Sequence, residues 1–418
     1  MPLPARNSLA VIGAGPVGLE AASAALDRGF DVHVFERGEV GSSLLGWGHV
    51  SLFTPWRMNL GPSSAQRLAR SGWKAPEGEI TPTGAELVEQ YLAPLARLAE
   101  FKDRIHVRAP VVWVSRRGLL KGDLIGDSSR RDYPFRLLVR DPGGRESFLH
   151  AFAVIDASGV YGQPNWAGDG GIPARGELYL APQMSYQVDD VLDLRRLRYA
   201  GKRVLVVGGG ASAATAVIEL DRLAARTPGT SVLWVTRRPA AELFKPIPRD
   251  PLIGRRLLYE QARELLEGSS PAVKHAGGVV VEAFEFNAAK HKYRVTLRAA
   301  ESPGGVEAMR IEEADQVLIN TGFGPDNSIY RELQVHECYA SRGPMNLSAA
   351  LMGAGAGDCL STPAFGADVL AHPEPDFYIV GHKSYGRSPH FLLETGYSQV
   401  SEVLDKLAAQ LTQDQTAD

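Results

Sequence analysis

Apolar runs that end in glycine and lead into a helical period occur twice along this chain, in the same order. Residues 9–12 are uniformly apolar and read as a buried strand. GAGPVG at 13–18 and an alanine-rich stretch to about Arg28 read as a turn and a helix, and 31–36 reads as a second strand. The order returns in RVLVVG (203–208), GGGASA (208–213), a helix to about Ala225 and SVLWVTRR (231–238). Starts at 13 and 208 are too distant for a solenoid and suit two copies of one domain. Each copy is a strand–helix–strand unit whose parallel strands need a helical crossover. The expected fold class is therefore α/β, with two doubly wound parallel sheets.

Between the copies the pattern predicts a helix over 84–100 and strands near 104–108, 111–116, 134–140 and 147–156. A breaker-rich linker spans 159–176. After the second copy come a helix near 251–267 and strands near 278–286, 293–299 and 316–320. A polar, glycine-rich excursion (324–375), a strand at 377–380 and a helix from about Pro389 complete the chain. The expected organisation inserts one domain into the other: 1–165 with 316–418 forms the first, and 185–315 the second.

Composition narrows the function classes. The chain has 418 residues, 44% hydrophobic and 22% charged, which excludes a disordered or fibrous chain. Its formal net charge of −3 offers no attraction to nucleic acid or to an anionic membrane, and a small-molecule substrate is expected instead. No apolar run is long enough to span a bilayer. Arg6 followed by apolar 9–25 mimics a signal peptide, but Glu20 and three glycines interrupt it. Two cysteines, Cys338 and Cys359, build neither a disulfide framework nor a four-cysteine metal site, and the ten histidines show no metal spacing. No metal is expected, and the chain reads as cytoplasmic. A homodimer is left open.

In GAGPVG, Gly13 permits the tight turn, Gly15 lets the backbone approach a pyrophosphate, and Gly18 allows close helix–strand packing. Pro16 and Val17 open the helix, whose free N–H groups favour a phosphate. Glu36, about twenty residues on, ends the second strand where a carboxylate accepts hydrogen bonds from ribose hydroxyls. Arg37 beside it and Val112 on the strand at 111–116 join the cofactor-binding candidates. In the second turn, Gly208, Gly210, Ala211, Ser212 and Ala213 carry the GxGxxA form. Its strand ends in Thr236, Arg237 and Arg238 with no acid. A carboxylate repels a 2′-phosphate, whereas guanidinium groups pair with it. The two ends thus predict FAD at the first site and NADPH at the second. The alternative leaves Arg237 and Arg238 as solvated strand-end charges. VIDASG (154–159) and VLINTGFGP (317–325) both run from an apolar strand through a small residue to glycine, as close passage by a cofactor or an ordinary turn demands.

Together these features resemble flavoproteins with two Rossmann-like dinucleotide-binding domains, a group that includes thioredoxin reductases and flavin-containing (class B) monooxygenases. The resemblance covers nearly the whole chain. It implies that Ala157, Ser158 and Gly159, and likewise Thr321 and Gly322, correspond to the family's "ATG" stretches beside the cofactors. It places GSSLLGWGHVSLFTPW (41–56) where such monooxygenases carry a loop against the flavin, which makes Trp47 and His49 flavin-neighbour candidates. Packing is the alternative for Trp47, Phe53 and Trp56. From the same loop, His49 and Arg57 are the acid–base candidates. The family's late Gly-Asp corresponds to Gly381-His382, with histidine in place of aspartate, in preference to a literal Gly357-Asp358. The last helix is expected to direct the Phe391 and Leu392 amides at the flavin, or else to be an ordinary surface helix.

The departures matter equally. No cysteine stands three residues from Cys338 or Cys359, which excludes a CxxC relay. No histidine occurs between His150 and His275, so the monooxygenases' FxGxxxH fingerprint is missing. The function expected from the resemblance is an FAD-dependent NADPH oxidoreductase. The favoured form is a single-component monooxygenase that oxygenates a small sulfur or nitrogen nucleophile through a C4a-hydroperoxyflavin. The alternatives are an NADPH-dependent reductase or oxidase without a redox disulfide, and a flavin-binding redox sensor.

Overall fold

The computed structural model of the chain describes residues 3–300, 309–353 and 366–417. The chain divides into two compact units, 1–45 with 54–163 and 324–418, and 46–53 with 164–323. Gly357-Asp358 and Cys359 lie outside the described residues.

The first unit is built on β1 (Ser8–Ile12), β2 (Asp31–Phe35), β3 (Ile105–His106), β7 (Ala153–Asp156) and the late strand Phe377–Ile379. They form one parallel sheet with β1 at its centre, flanked by β2 and β7. Chain order reverses between β1 and β7, and it is at such a switch point that a doubly wound sheet opens a crevice. The helix Pro16–Asp27 connects β1 to β2 on one face and packs against the helices Pro62–Arg70 and Leu393–Ala417. The other face is covered by an antiparallel sheet of β4 (Val111–Arg116), β5 (Phe135–Arg140) and β6 (Glu146–Ala151). Ala10, Ile12, Phe35 and Val154 meet Val114, Phe135 and Leu137 there. Each fully buried aliphatic side chain contributes about 1.5–3 kcal/mol to holding the layers together.

The second unit repeats the plan. Its parallel sheet has the order β10 (Val273–Gly277), β9 (Ser231–Thr236), β8 (Arg203–Val207), β14 (Gln316–Ile319). Alternate residues serve its two faces. Val204, Val206, Val232 and Trp234 pack against the helices Ala211–Arg226 and Ile253–Leu266. Leu205, Val207, Leu233 and Val235 meet Phe284, Val295 and Leu297 of an antiparallel sheet. That sheet comprises β11 (Val279–Asn287), β12 (Lys292–Ala299) and β13 (Met309–Ala314). Burial on both sides is why these strands read as unbroken apolar runs. The α/β class with two doubly wound sheets is as expected from sequence.

Three expectations about boundaries change. The first-domain segment was expected to resume at 316, but Gln316–Ile319 pairs residue by residue with Val204–Val207 and completes the second sheet. The loop 46–53 belongs to the second unit rather than the first. The helix expected over 84–100 is broken. It starts well, with Thr83 and Glu86 forming a reciprocal capping box, but a wide turn at Val88–Leu92 precedes Pro94. Pro94 has no N–H for the Gln90 carbonyl, and its ring crowds it. The Trp73 indole donates to that carbonyl instead, at 2.8 Å.

Candidate functional site

Each sheet carries a glycine turn at the carboxyl end of its central strand. In the first, the Gly13 amide donates to the Phe35 carbonyl at 2.8 Å. The turn has φ +104° at Gly13, and a Cβ there would stand 2.7 Å from the Ala157 carbonyl oxygen. A Cβ on Gly18 would stand 1.9 Å from the Gly13 oxygen. Gly15 differs, because a Cβ there would meet nothing within 4 Å. Gly15 is also the N-cap of the helix that Pro16 opens, and no side chain caps it. The result is an open cradle under helix N–H groups with a partial positive charge, which fits a pyrophosphate.

Glu36 stands where the sequence reading puts it, nearly buried beside the turn. Its Oε2 accepts from the Ala14 amide at 2.9 Å and its Oε1 from the Gly38 amide at 2.8 Å. A carboxylate accepts about four hydrogen bonds, so the group is held in place with capacity for ribose hydroxyls. Val112 sits at a register break between Val111 and Trp113, outside the β4–β5 ladder. A bulged residue keeps its backbone groups for another partner, a property that sequence pattern does not show. The Arg37 guanidinium lies against Gly162, where a Cβ would come within 2.3 Å of it.

The closing turn brings Gly381 onto Val17, at 3.4 Å from where its Cβ would be. The Gln399 side chain accepts from the Gly381 amide at 2.8 Å. His382 stacks on Phe391 with ring centres 5.4 Å apart and meets Tyr161 edge-on. Burial pushes its pKa down to about 4, so at neutral pH the ring carries no charge and is no electrostatic substitute for the family's aspartate. The last helix starts at Leu393, later than expected, and the Leu392 carbonyl accepts its first bonds from Thr395 and Gly396. Phe391 and Leu392 thus precede the helix.

Two residues beside this turn were missed by sequence reasoning. The Lys383 ammonium donates to Asp156 Oδ2 at 2.6 Å and to Ser158 Oγ at 3.1 Å, and both members of the ion pair are buried. Ser158 donates through its amide and hydroxyl to Asp156 Oδ1. The loop Ala157–Ser158–Gly159 is thereby tied to the closing turn across more than two hundred residues. A charged residue on an otherwise apolar strand is the one clue the sequence holds.

In the second turn, a Cβ on Gly208 would come within 2.2 Å of the Asn320 oxygen, whereas Gly210 again faces open space. The Trp234 indole donates to the Gly208 carbonyl at 2.8 Å, a support that sequence reasoning missed. Ala211 and Ser212 open the helix and Ala213 is buried beneath the turn. Arg237 and Arg238 are exposed at the end of β9. Thr321 and Gly322 belong to this second unit, where Thr321 Oγ1 donates to the Asn165 carbonyl at 2.5 Å.

Trp47 and His49 also fall in the second unit. His49 Nε2 lies 3.5 Å from Glu219 Oε2 on the helix Ala211–Arg226. Burial alone would lower the His49 pKa, but the Glu219 carboxylate, with Asp190 and Asp189 beyond, more than offsets that and raises it. Arg57 lies in the first unit as an exposed residue whose Nε donates to Glu79 at 2.9 Å. The two acid–base candidates expected from one loop are thus on different units. No group of histidine, cysteine and carboxylate side chains suited to a metal ion occurs among the described residues. No helix among them is long and apolar enough to cross a membrane.

Residues 8–42, which hold β1, the first glycine turn and Glu36, match the pyridine nucleotide-disulphide oxidoreductase family. No protein of curated function matches the sequence. Among solved structures, the chain is similar to a bacillithiol disulfide reductase from Bacillus cereus. The identity is 17% and the TM-score 0.67, covering 96% of this chain and 99% of that one. It is also similar to the ornithine hydroxylase of Pseudomonas aeruginosa, at 17% identity and TM-score 0.63 over 97% and 99% of the chains. A third likeness is to the FAD-bound cadaverine monooxygenase of desferrioxamine biosynthesis from Erwinia amylovora. There the identity is 14% and the TM-score 0.63, over 97% and 95%. The fold is that of the two-domain FAD/NAD(P)H flavoproteins.

Proposed function

We propose that this protein is an FAD-dependent NADPH oxidoreductase, and that it acts as a monooxygenase on a small nitrogen or sulfur nucleophile. One observation carries the cofactor reading: two open glycine cradles of the same build end in opposite charge, Glu36 at one and Arg237 with Arg238 at the other. In this reading the amides that follow Gly15 receive the FAD pyrophosphate and Glu36 its ribose. The backbone at Val112 serves the adenine. Gly381 and the Lys383–Asp156 pair hold the closing turn. The amides after Gly210 receive the NADPH pyrophosphate, and the two arginines its 2′-phosphate. When bound, FAD would supply the redox chemistry, hydride uptake from NADPH and electron transfer onward. The chain's part is to bind, orient and exclude water.

The Glu219 carboxylate facing His49 Nε2 favours the protonated imidazole, and of the two acid–base candidates His49 is the one we retain. Arg57 is exposed and its guanidinium is paired with Glu79, so we assign it no step. Two features support oxygenation: there is no CxxC pair, and the fold is shared with an ornithine hydroxylase and a cadaverine monooxygenase. The second reading, a reductase or oxidase, draws on the missing FxGxxxH histidine and on the likeness to a bacillithiol disulfide reductase.

The test is turnover of the purified, FAD-loaded protein with NADPH under labelled dioxygen, using primary amines and thioethers as trial substrates. Oxygen label in the product supports the monooxygenase. Hydrogen peroxide equal to NADPH consumed, with every substrate tried, supports the oxidase. A protein that takes up no FAD on reconstitution overturns both.

A further inference from the structure

The second cradle contains a histidine to which no motif points. His275 lies on β10, half-buried beside the end of β9, and its Nε2 is 2.8 Å from Thr236 Oγ1. That hydroxyl is 2.7 Å from the Arg238 carbonyl, to which it can only donate. A hydroxyl has one proton. Since Thr236 gives its proton to Arg238, His275 must carry hydrogen on Nε2 and donate to Thr236. The tautomer is thus set by the chain itself, and the relay runs from His275 through Thr236 to the Arg238 backbone.

The surroundings hold the ring in that pose. It meets Trp234 edge-on at 5.8 Å, and the Trp234 indole supports the Gly208 carbonyl of the glycine turn. Gly277 leaves room for it, since a Cβ there would stand 2.7 Å from His275 Cε1. One imidazole therefore joins the support of the phosphate turn to the base of the arginine pair.

We propose that His275 is a positioning residue for the ribose 2′-phosphate: through Thr236 it fixes the backbone at Arg238 and so sets the preference for NADPH over NADH. The proposal rests on the reading that Arg237 and Arg238 receive that phosphate. Its physical logic is entropic. An exposed arginine has many rotamers and loses that freedom on binding. A strand end that wanders adds backbone freedom to that loss, and anchoring the Arg238 backbone removes this part. The benefit is specific to the phosphomonoester, because a bare 2′-hydroxyl makes no demand on the arginines.

The experiment measures binding of adenosine 2′,5′-diphosphate and adenosine 5′-diphosphate to the full-length protein by titration calorimetry. His275→Leu and Thr236→Val, which remove the relay, are expected to weaken 2′,5′-diphosphate binding about tenfold. Binding of the 5′-diphosphate should stay within about twofold. His275→Gln, which retains an N–H donor, should recover most of the loss. Equal weakening of both ligands, or no change in either, overturns the proposal. The Arg237→Ala/Arg238→Ala variant separates the two layers. If it leaves the ratio of the two affinities unchanged, the assignment of the arginines fails. If it collapses the ratio while His275→Leu does not, only the role of His275 fails.

Discussion

Among the glycines of the two turns, position alone decides what a methyl group would do. Gly18→Ala forces a Cβ onto the Gly13 carbonyl oxygen at 1.9 Å, a backbone clash that only rearrangement of the turn relieves. Gly15→Ala meets no protein atom within 4 Å but occupies the cradle. We therefore expect Gly15→Ala to fold with its unfolding midpoint nearly unchanged while its FAD content falls at least about tenfold. Gly18→Ala should lose several kcal/mol of stability as well. Absorbance ratio and denaturant unfolding read both, and normal FAD content in Gly15→Ala would contradict the assignment of the cradle. At the same scale His382 makes a pH prediction. Its folded pKa of about 4 lies below the ordinary 6.5, so the unfolded chain binds more protons between those values. Its contribution is fully present above pH 6.5 and is lost as pH falls toward 4, amounting to about 3 kcal/mol. His382→Phe should flatten the decline of the unfolding free energy over that window, and an unchanged slope would count against a buried neutral ring.

Elements here are joined by buried charge as well as by apolar packing. Glu374, just before the late strand of the first sheet, accepts from Arg116 of β4 at 2.8 Å and from Arg130 at 2.8 Å, all three side chains being shielded from water. The Gln334 amide adds a bond at 2.9 Å. Burial would raise the Glu374 pKa, but the hydrogen bonds from Arg130, Arg116 and Gln334 more than offset this and lower it. Glu374→Gln keeps the shape and leaves two buried guanidiniums without a counter-charge. The expected cost is about 3–5 kcal/mol in chemical unfolding, and a change below about 1 kcal/mol would show the cluster to be hydrated. Glu20 shows the same economy within one layer. It interrupts the apolar run at 9–25 in the sequence and in the fold is buried, accepting from the Ser63 and Ser64 amides at 2.9 Å each. A carboxylate in that place satisfies N–H groups at the start of the helix Pro62–Arg70 and complements its dipole. The pattern alone marks Glu20 as an anomaly. The helix end it serves lies about forty residues away.

For the whole molecule, two nucleotide cradles on two units imply two separable linkages between binding and stability. A ligand at one hundred times its Kd adds about 2.7 kcal/mol to the state that binds it. FAD should therefore slow amide exchange around 13–18 and 36–38, and adenosine 2′,5′-diphosphate around 208–213 and 236–238. Protection of neither segment by its ligand would refute the pairing of cofactor with unit. What was legible in the sequence beforehand was whatever depends on neighbours in the chain: the turns, the strand–helix–strand order, and the Glu36 and Arg237–Arg238 strand ends. Each of these follows from local backbone freedom, hydrophobic period and the charge of a side chain at a fixed offset. Tertiary structure alone decided that 46–53 and 316–319 belong to the second unit, that Lys383 neutralises Asp156, and that His275 reaches Thr236. Those pairings join residues about forty to more than two hundred positions apart. Their partners are chosen by which strand edges and buried charges the folded topology brings within reach, and a linear pattern does not encode that choice.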